Sequence, residues 1–128
     1  MLHAVISEQV IKSFYHVYNT LGYGFLERVY ENSLRNLLRK SGLEVVQQQP
    51  ISVHFEDQVL GEYFADLVIA DKIIMEVKAS QAIAKEHEPQ LLNYLKSTGY
   101  EVGTILNFGP KAEFIRRAFT PTLSAQIS

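Results

Sequence analysis

The run "FADLVIADKIIMEVKA", Phe64 to Ala79, is apolar enough for the centre of a small domain, yet it carries Asp66, Glu76 and Lys78. Its Val, Ile and Leu content on either side of "ADK" predicts two strands joined by a tight turn. A buried charge in such a strand costs several kcal/mol unless it is paired or bound to metal. Side chains alternate between faces, so Glu76 and Lys78 point one way, and Phe64, Asp66 and Val68 share a side of the neighbouring strand. A two-residue turn at Asp71-Lys72 would pair Ala70 with Ile73 and set Asp66 opposite Val77, separating the carboxylates. A three-residue turn, Ala70-Asp71-Lys72, would pair Ile69 with Ile73 and set Asp66 opposite Glu76, with Lys78 one pleat beyond. Facing carboxylates repel by up to about 1 kcal/mol at exposed strand positions, and by more when buried, unless a cation lies between them. The expectation is an odd-numbered or bulged turn, and a metal.

Outward from this hairpin, the period and the punctuation predict the remaining elements. Upstream, Ile51, Val53 and Phe55 alternate with polar residues before the turn at "EDQ", and the second strand runs from about Val59 to Ile69. Pro50 has no N–H for a ladder, so the first strand should begin or bulge there. Before it, Val10, Ile11, Phe14, Val17, Tyr18 and Leu21 recur at helical spacing, with Ser7 as N-cap and Gly22 as stop. A second helix carries Leu26, Val29, Tyr30, Leu34, Leu37 and Leu38 up to Gly42. Downstream, "EHEPQLLNYLKSTG" reads as a helix with Pro89 in its first turn and Gly99 at its end. "EVGTILNF" reads as a buried strand and "AEFIRRAF" as a terminal edge segment. Phe55, Phe64 and Phe108 fit core positions better than base-stacking platforms.

The composition suits one α/β domain over residues 1–128. The chain has 128 residues, 47% apolar and 20% charged, which fits an ordinary globular protein with a core of its own. It has no Cys, which excludes disulfides, thiolate zinc sites and cysteine nucleophiles. The opening "MLHAVISEQV" resembles neither a signal peptide nor a membrane span, so a cytoplasmic setting without membrane is expected. A net charge of −2 gives no global attraction to a polyanion, so any nucleic acid must be held locally or through a metal.

Oxygen-only ligands, few in number, suit a hard cation such as Mg²⁺ or Mn²⁺ better than Zn²⁺. Such an ion can carry an attacking water and neutralise charge on a phosphate, while Lys78 beside it could orient that water or stabilise the transition state. Asp66, nine intervening residues and then Glu76-Val77-Lys78 resemble the signature of the PD-(D/E)xK nuclease superfamily. "GFLERVY", Gly24 to Tyr30, resembles the G-x-x-E-x-x-Y motif of the small bacterial GxxExxY family, and "QLLNYLKSTGYEVGTILNFG" is similar to that family's second block.

The resemblance covers roughly Gly22 to Gly109. It implies the restriction-endonuclease-like fold: an α-β-β-β-α-β core, a mixed central sheet flanked by helices, here with an extra N-terminal helix. It implies Asp66, Glu76 and the carbonyl of Val77 as metal ligands, Lys78 as the hydrolytic helper and Glu27 on the first core helix completing the site. Gln90 and Tyr94, a Q-x-x-x-Y pair on one helix face, resemble a motif that borders the site in one branch of the superfamily. Ala65 stands where the name-giving motif has Pro, a loosely kept position.

Each of these residues also has a plainer reading. Glu27 near a helix start is favoured by the helix dipole alone. Tyr30 lies on an apolar stripe, with its hydroxyl expected to point toward the site. His87 suits a cap or surface position, and Arg116-Arg117 suit either phosphate contact or edge protection. Asp66 inside "FADLVI" has the weakest plain explanation. The reading is a metal-dependent nuclease with DNA as the favoured nucleic-acid partner. The alternative is a catalytically silent module of the same fold that binds nucleic acid or a protein. A homodimer is the assembly that cutting two strands would favour.

Overall fold

In chain order the elements are α1 (Ala4–Leu21), α2 (Glu27–Lys40), β1 (Val45–Phe55), β2 (Gln58–Ile69), β3 (Ile73–Lys78), α3 (His87–Thr98), β4 (Val102–Phe108) and β5 (Ala112–Ala118). The computed structural model describes residues 3–119. The strands form one five-stranded sheet in the order β1-β2-β3-β4-β5. β3 and β4 run parallel and the other neighbours antiparallel, because α3 is the crossover that returns the chain to the same end of the sheet. No helix among the described residues is long and apolar enough to cross a membrane.

The turn between β2 and β3 has three residues between paired positions, as the charge argument requires. Ile69 pairs with Ile73, Val68 with Ile74 and Leu67 with Met75. Ala70 and Asp71 take left-handed φ values of 52° and 53°, and the Lys72 N–H donates to the Ile69 carbonyl at 2.9 Å. Two left-handed non-glycine residues cost about 1–2 kcal/mol each, so the register is held by the buried strands on either side rather than by the turn.

Two apolar layers sandwich the sheet. On one face Val10, Phe14 and Val17 of α1 with Tyr30, Leu34 and Leu38 of α2 cover Leu67, Ile69, Ile73, Met75, Val77 and Leu106. On the other, Leu95 of α3 packs with Ile51, Ala65, Val68 and Ile74. Val45 belongs to the first layer and Ile51 to the second, although an even spacing should keep them on one face; Leu67 and Ala65 are divided in the same way. The register is the same at Gln47–Leu67 and at Gln49–Ala65, but the Gln48–Asp66 pair between them is missing, and Gln48 takes φ 54°. Both strands therefore turn over at the level of Gln48 and Asp66.

Four local expectations are corrected. Ser7 is not the cap of α1, which starts three residues earlier; it is buried, and its hydroxyl accepts from Arg116 Nε at 3.1 Å. Pro50 neither begins nor bulges β1, which starts at Val45 and shifts register between Val53 and His54. β1 is an edge strand, and an edge tolerates a missing donor. Phe55 and Phe64 are 61% and 57% exposed, because the β1–β2 hairpin runs past the end of β3, and α3 packs there on Ile51, Tyr63 and Ala65 rather than on these two rings.

Candidate active site

The β2–β3 ladder stops at Leu67–Met75, and Asp66 stands where the strands part. Its Oδ2 accepts the Val77 N–H at 2.7 Å, replacing the missing strand partner, and its Oδ1 accepts from Gln48 Nε2 at 3.2 Å. Glu76 lies between buried Met75 and Val77 and turns to the α3 side, where one carboxylate oxygen, Oε1, is buried without a hydrogen-bond partner. Burial, followed by the neighbouring Asp66 charge, pushes the Glu76 carboxyl up to about 8; Lys78 opposes this, and Glu31 adds to it. Glu76 and Lys78 share a cleft of about 210 Å³ with Tyr63 of β2 and with His87, Gln90 and Tyr94 of α3. Asp66, Glu76, Val77 and Lys78 thus meet at one end of the sheet.

The α2 carboxylate linked to Asp66 through hydrogen bonds is Glu31, one turn after Glu27. Glu27 is exposed in the first turn of α2, and no hydrogen bond or ion pair among the described residues ties it to Asp66 or Glu76. Glu31, one turn further on, is buried at 3% exposure. Both of its oxygens accept from Gln48 Nε2 at 3.1 Å, Gln47 Nε2 also donates to it, and the Arg28 guanidinium stands 4.0 Å away. The physical reason is depth: the first turn of α2 projects into solvent, and the second turn is the one that meets β1. Gln47 and Gln48 lie in "VVQQQP", which carries no charge and no motif, and Glu31 lies in "ENSL" outside any motif. The one signal was a carboxylate one turn after Glu27.

On α3, Gln90 is exposed at the cleft, and Tyr94 stacks on Tyr63 with ring centroids 3.7 Å apart. The Tyr63 hydroxyl is buried without a partner, and burial together with Glu76 raises its pKa. His87 Nδ1 accepts the Ala84 N–H at 3.3 Å, which fixes the start of α3. Tyr30 departs from expectation: its hydroxyl donates to the Gly22 carbonyl at 2.8 Å and accepts from Phe25 N, stitching the α1–α2 link, while its ring stacks on Phe108 at 4.1 Å. Arg117 pairs with Glu88 at 2.7 Å, so this guanidinium is engaged within the fold.

Asn107 is a further residue the sequence did not announce. Fully buried on β4, opposite Lys78, it accepts from Ser80 N at 2.9 Å and donates to Ser80 O at 3.1 Å. The pair mimics two backbone ladder bonds and ties the bend at Ser80 to β4 beyond Lys78. Gly109 closes over it, because a Cβ there would strike the Ser80 carbonyl.

Among the described residues, no three His, Asp or Glu side chains converge into a cage of their own. Two carboxylates with an unpartnered buried oxygen suit a hard cation that keeps several waters, and they suit zinc poorly. A lysine two residues from the acid and an open cleft add a point charge and room for a phosphate.

In overall fold the chain is similar to the crystal structure of SSO0001, with a TM-score of 0.53 at 16% identity, covering 78% of this chain and 55% of that one. An alkaline exonuclease from Laribacter hongkongensis aligns at a TM-score of 0.48 and 14% identity, covering 73% and 56%. The chain thus spans a little over half the length of these solved structures. No curated protein matches it. The model of the PD-(D/E)XK nuclease superfamily matches residues 4–118, the stretch that contains every site residue described above, and the chain belongs to that superfamily.

Proposed function

We propose that the chain is a divalent-metal-dependent nuclease that hydrolyses phosphodiesters, with DNA as substrate, in the cytoplasm. The observation that carries this reading is the Glu76 carboxylate, buried beside Asp66 and Lys78 with one oxygen unpartnered at an open cleft. Asp66, Glu76 and the Val77 carbonyl would hold Mg²⁺ or Mn²⁺, which when bound supplies Lewis acidity and neutralises charge on the phosphate. The chain's own groups do the rest. The Val77 N–H and Gln48 keep the Asp66 carboxylate in one orientation. Lys78 holds the attacking water and, as a point charge, offsets the charge growing on the phosphate. Gln90, at the cleft mouth, donates its amide to a phosphate oxygen. The water oxygen ends on phosphorus, the bond to the leaving sugar oxygen breaks, and a proton ends on that oxygen.

Within the superfamily, the Gly24–Tyr30 motif and the Gln90–Gly109 block support the GxxExxY branch. One site cuts one strand, so a homodimer would serve a duplex. The test is cleavage of labelled single- and double-stranded DNA and RNA by wild type and Lys78→Ala in Mg²⁺, Mn²⁺ or EDTA, with metal binding by calorimetry. Metal-requiring cleavage of DNA that is lost in Lys78→Ala is expected. Metal binding without cleavage of any substrate would instead support the silent module.

A further inference from the structure

We infer that Gln48 is a positioning residue of the site: its amide holds the carboxylates of Asp66 and Glu31 together without neutralising them, so that their charge stays free for a cation. The inference rests on the nuclease reading above. Gln48 Nε2 lies 3.2 Å from Asp66 Oδ1 and 3.1 Å from each oxygen of Glu31. An amide has two N–H groups, so one serves Asp66 and the other is shared across the Glu31 carboxylate; acceptors on both sides fix which end of the amide faces them. Asp66 comes from β2 and Glu31 from α2, and the Gln48 side chain of β1 touches both.

The backbone shows that this contact is built at a cost. Gln48 takes φ 54° inside a strand, a region that costs a side-chain-bearing residue about 1–2 kcal/mol. The strain coincides with the level at which β1 and β2 both exchange faces while keeping register, and that exchange lets Gln48 reach Glu31 as well as Asp66. A glycine would adopt this φ freely, and a lysine would bind two carboxylates more strongly than an amide does. Neither stands there. A lysine would remove the negative charge that a divalent ion needs, whereas the neutral amide orients both acids and leaves them charged.

The test compares wild type, Gln48→Gly and Gln48→Lys by thermal melting in EDTA, Mn²⁺ titration calorimetry, and Mn²⁺-dependent cleavage of labelled DNA at varied Mn²⁺. Gln48→Gly should melt within a few degrees of wild type, because relief of strain offsets the lost hydrogen bonds, yet bind Mn²⁺ roughly tenfold more weakly and need correspondingly more Mn²⁺ for half-maximal cleavage. Gln48→Lys should melt at or above wild type and bind Mn²⁺ more weakly still. A purely structural role predicts the reverse for the lysine variant: firm ion pairs with Mn²⁺ affinity unchanged. Wild-type Mn²⁺ affinity in either variant overturns the inference while leaving the nuclease reading intact. A wild type that neither binds Mn²⁺ nor cleaves overturns both.

Discussion

The two faces of β3 differ by one residue in register and by their whole chemistry. Ile73, Met75 and Val77 are at most 1% exposed beneath α1 and α2, while Ile74, Glu76 and Lys78 face the side of α3. Two helices, of 18 and 14 residues, seal the first face, and a single 12-residue helix covers the second and leaves the end of the sheet open at the cleft. The same six-residue strand therefore supplies both the core and the site. The sealed face stabilises the fold, and the open face spends some of that stability on an acid that burial disfavours.

The largest effect should break the open face alone. Asp66→Asn, which keeps an acceptor for the Val77 N–H, or Lys78→Ala should lower metal-dependent cleavage by roughly a thousandfold or more, with a melting temperature within a few degrees of wild type. Loss of fold together with activity would mean that the charges support the core, and the contrast between the faces would collapse.

Next comes pH. The Glu76 carboxyl is raised from 4.5 to about 8, so between those values the folded chain holds a proton that the unfolded chain releases. Without metal, stability should be greatest below that window and fall by on the order of 4 kcal/mol as pH rises through it. Denaturant unfolding in EDTA at pH 5 and pH 8 measures this, and Glu76→Gln should flatten the slope. A slope that is equally steep in Glu76→Gln would move the cost to another group.

On the sealed face, Leu106→Ala should destabilise by about 2–5 kcal/mol at any pH, because it opens a cavity beneath two helices. Urea unfolding checks it, and a cost below about 1 kcal/mol would mean that this layer is less tightly closed than its burial implies. The smallest effect sharpens the boundary between the faces. Tyr63→Phe removes a buried hydroxyl that has no partner, so stability in EDTA should hold or rise by up to about 1 kcal/mol. A loss of stability would assign that hydroxyl a structural bond. A drop in cleavage with stability intact would place it in contact with substrate.

Much of this contrast was legible in the sequence. Periodicity predicted the helices and strands, and the repulsion between Asp66 and Glu76 predicted the three-residue turn that the pairing of Ile69 with Ile73 bears out. The misses share one cause, which is dependence on distant residues. Ser7 looks like a cap until Arg116, 109 residues away, is seen bonded to it. Phe64 looks like core until the hairpin is seen to outrun β3.

By itself the sequence determined the element order, the alternation that puts Met75 and Val77 opposite Glu76 and Lys78, and the spacing that brings Asp66 to the same level. These follow from local periods of 3.6 and 2, which need only neighbouring residues. The tertiary structure alone decided that Glu31, rather than Glu27, is linked to Asp66, that Gln48 makes the link, and that Asn107 holds the chain after Lys78. Each of those contacts joins different elements, and its existence depends on helix depth and sheet twist, which no local pattern encodes.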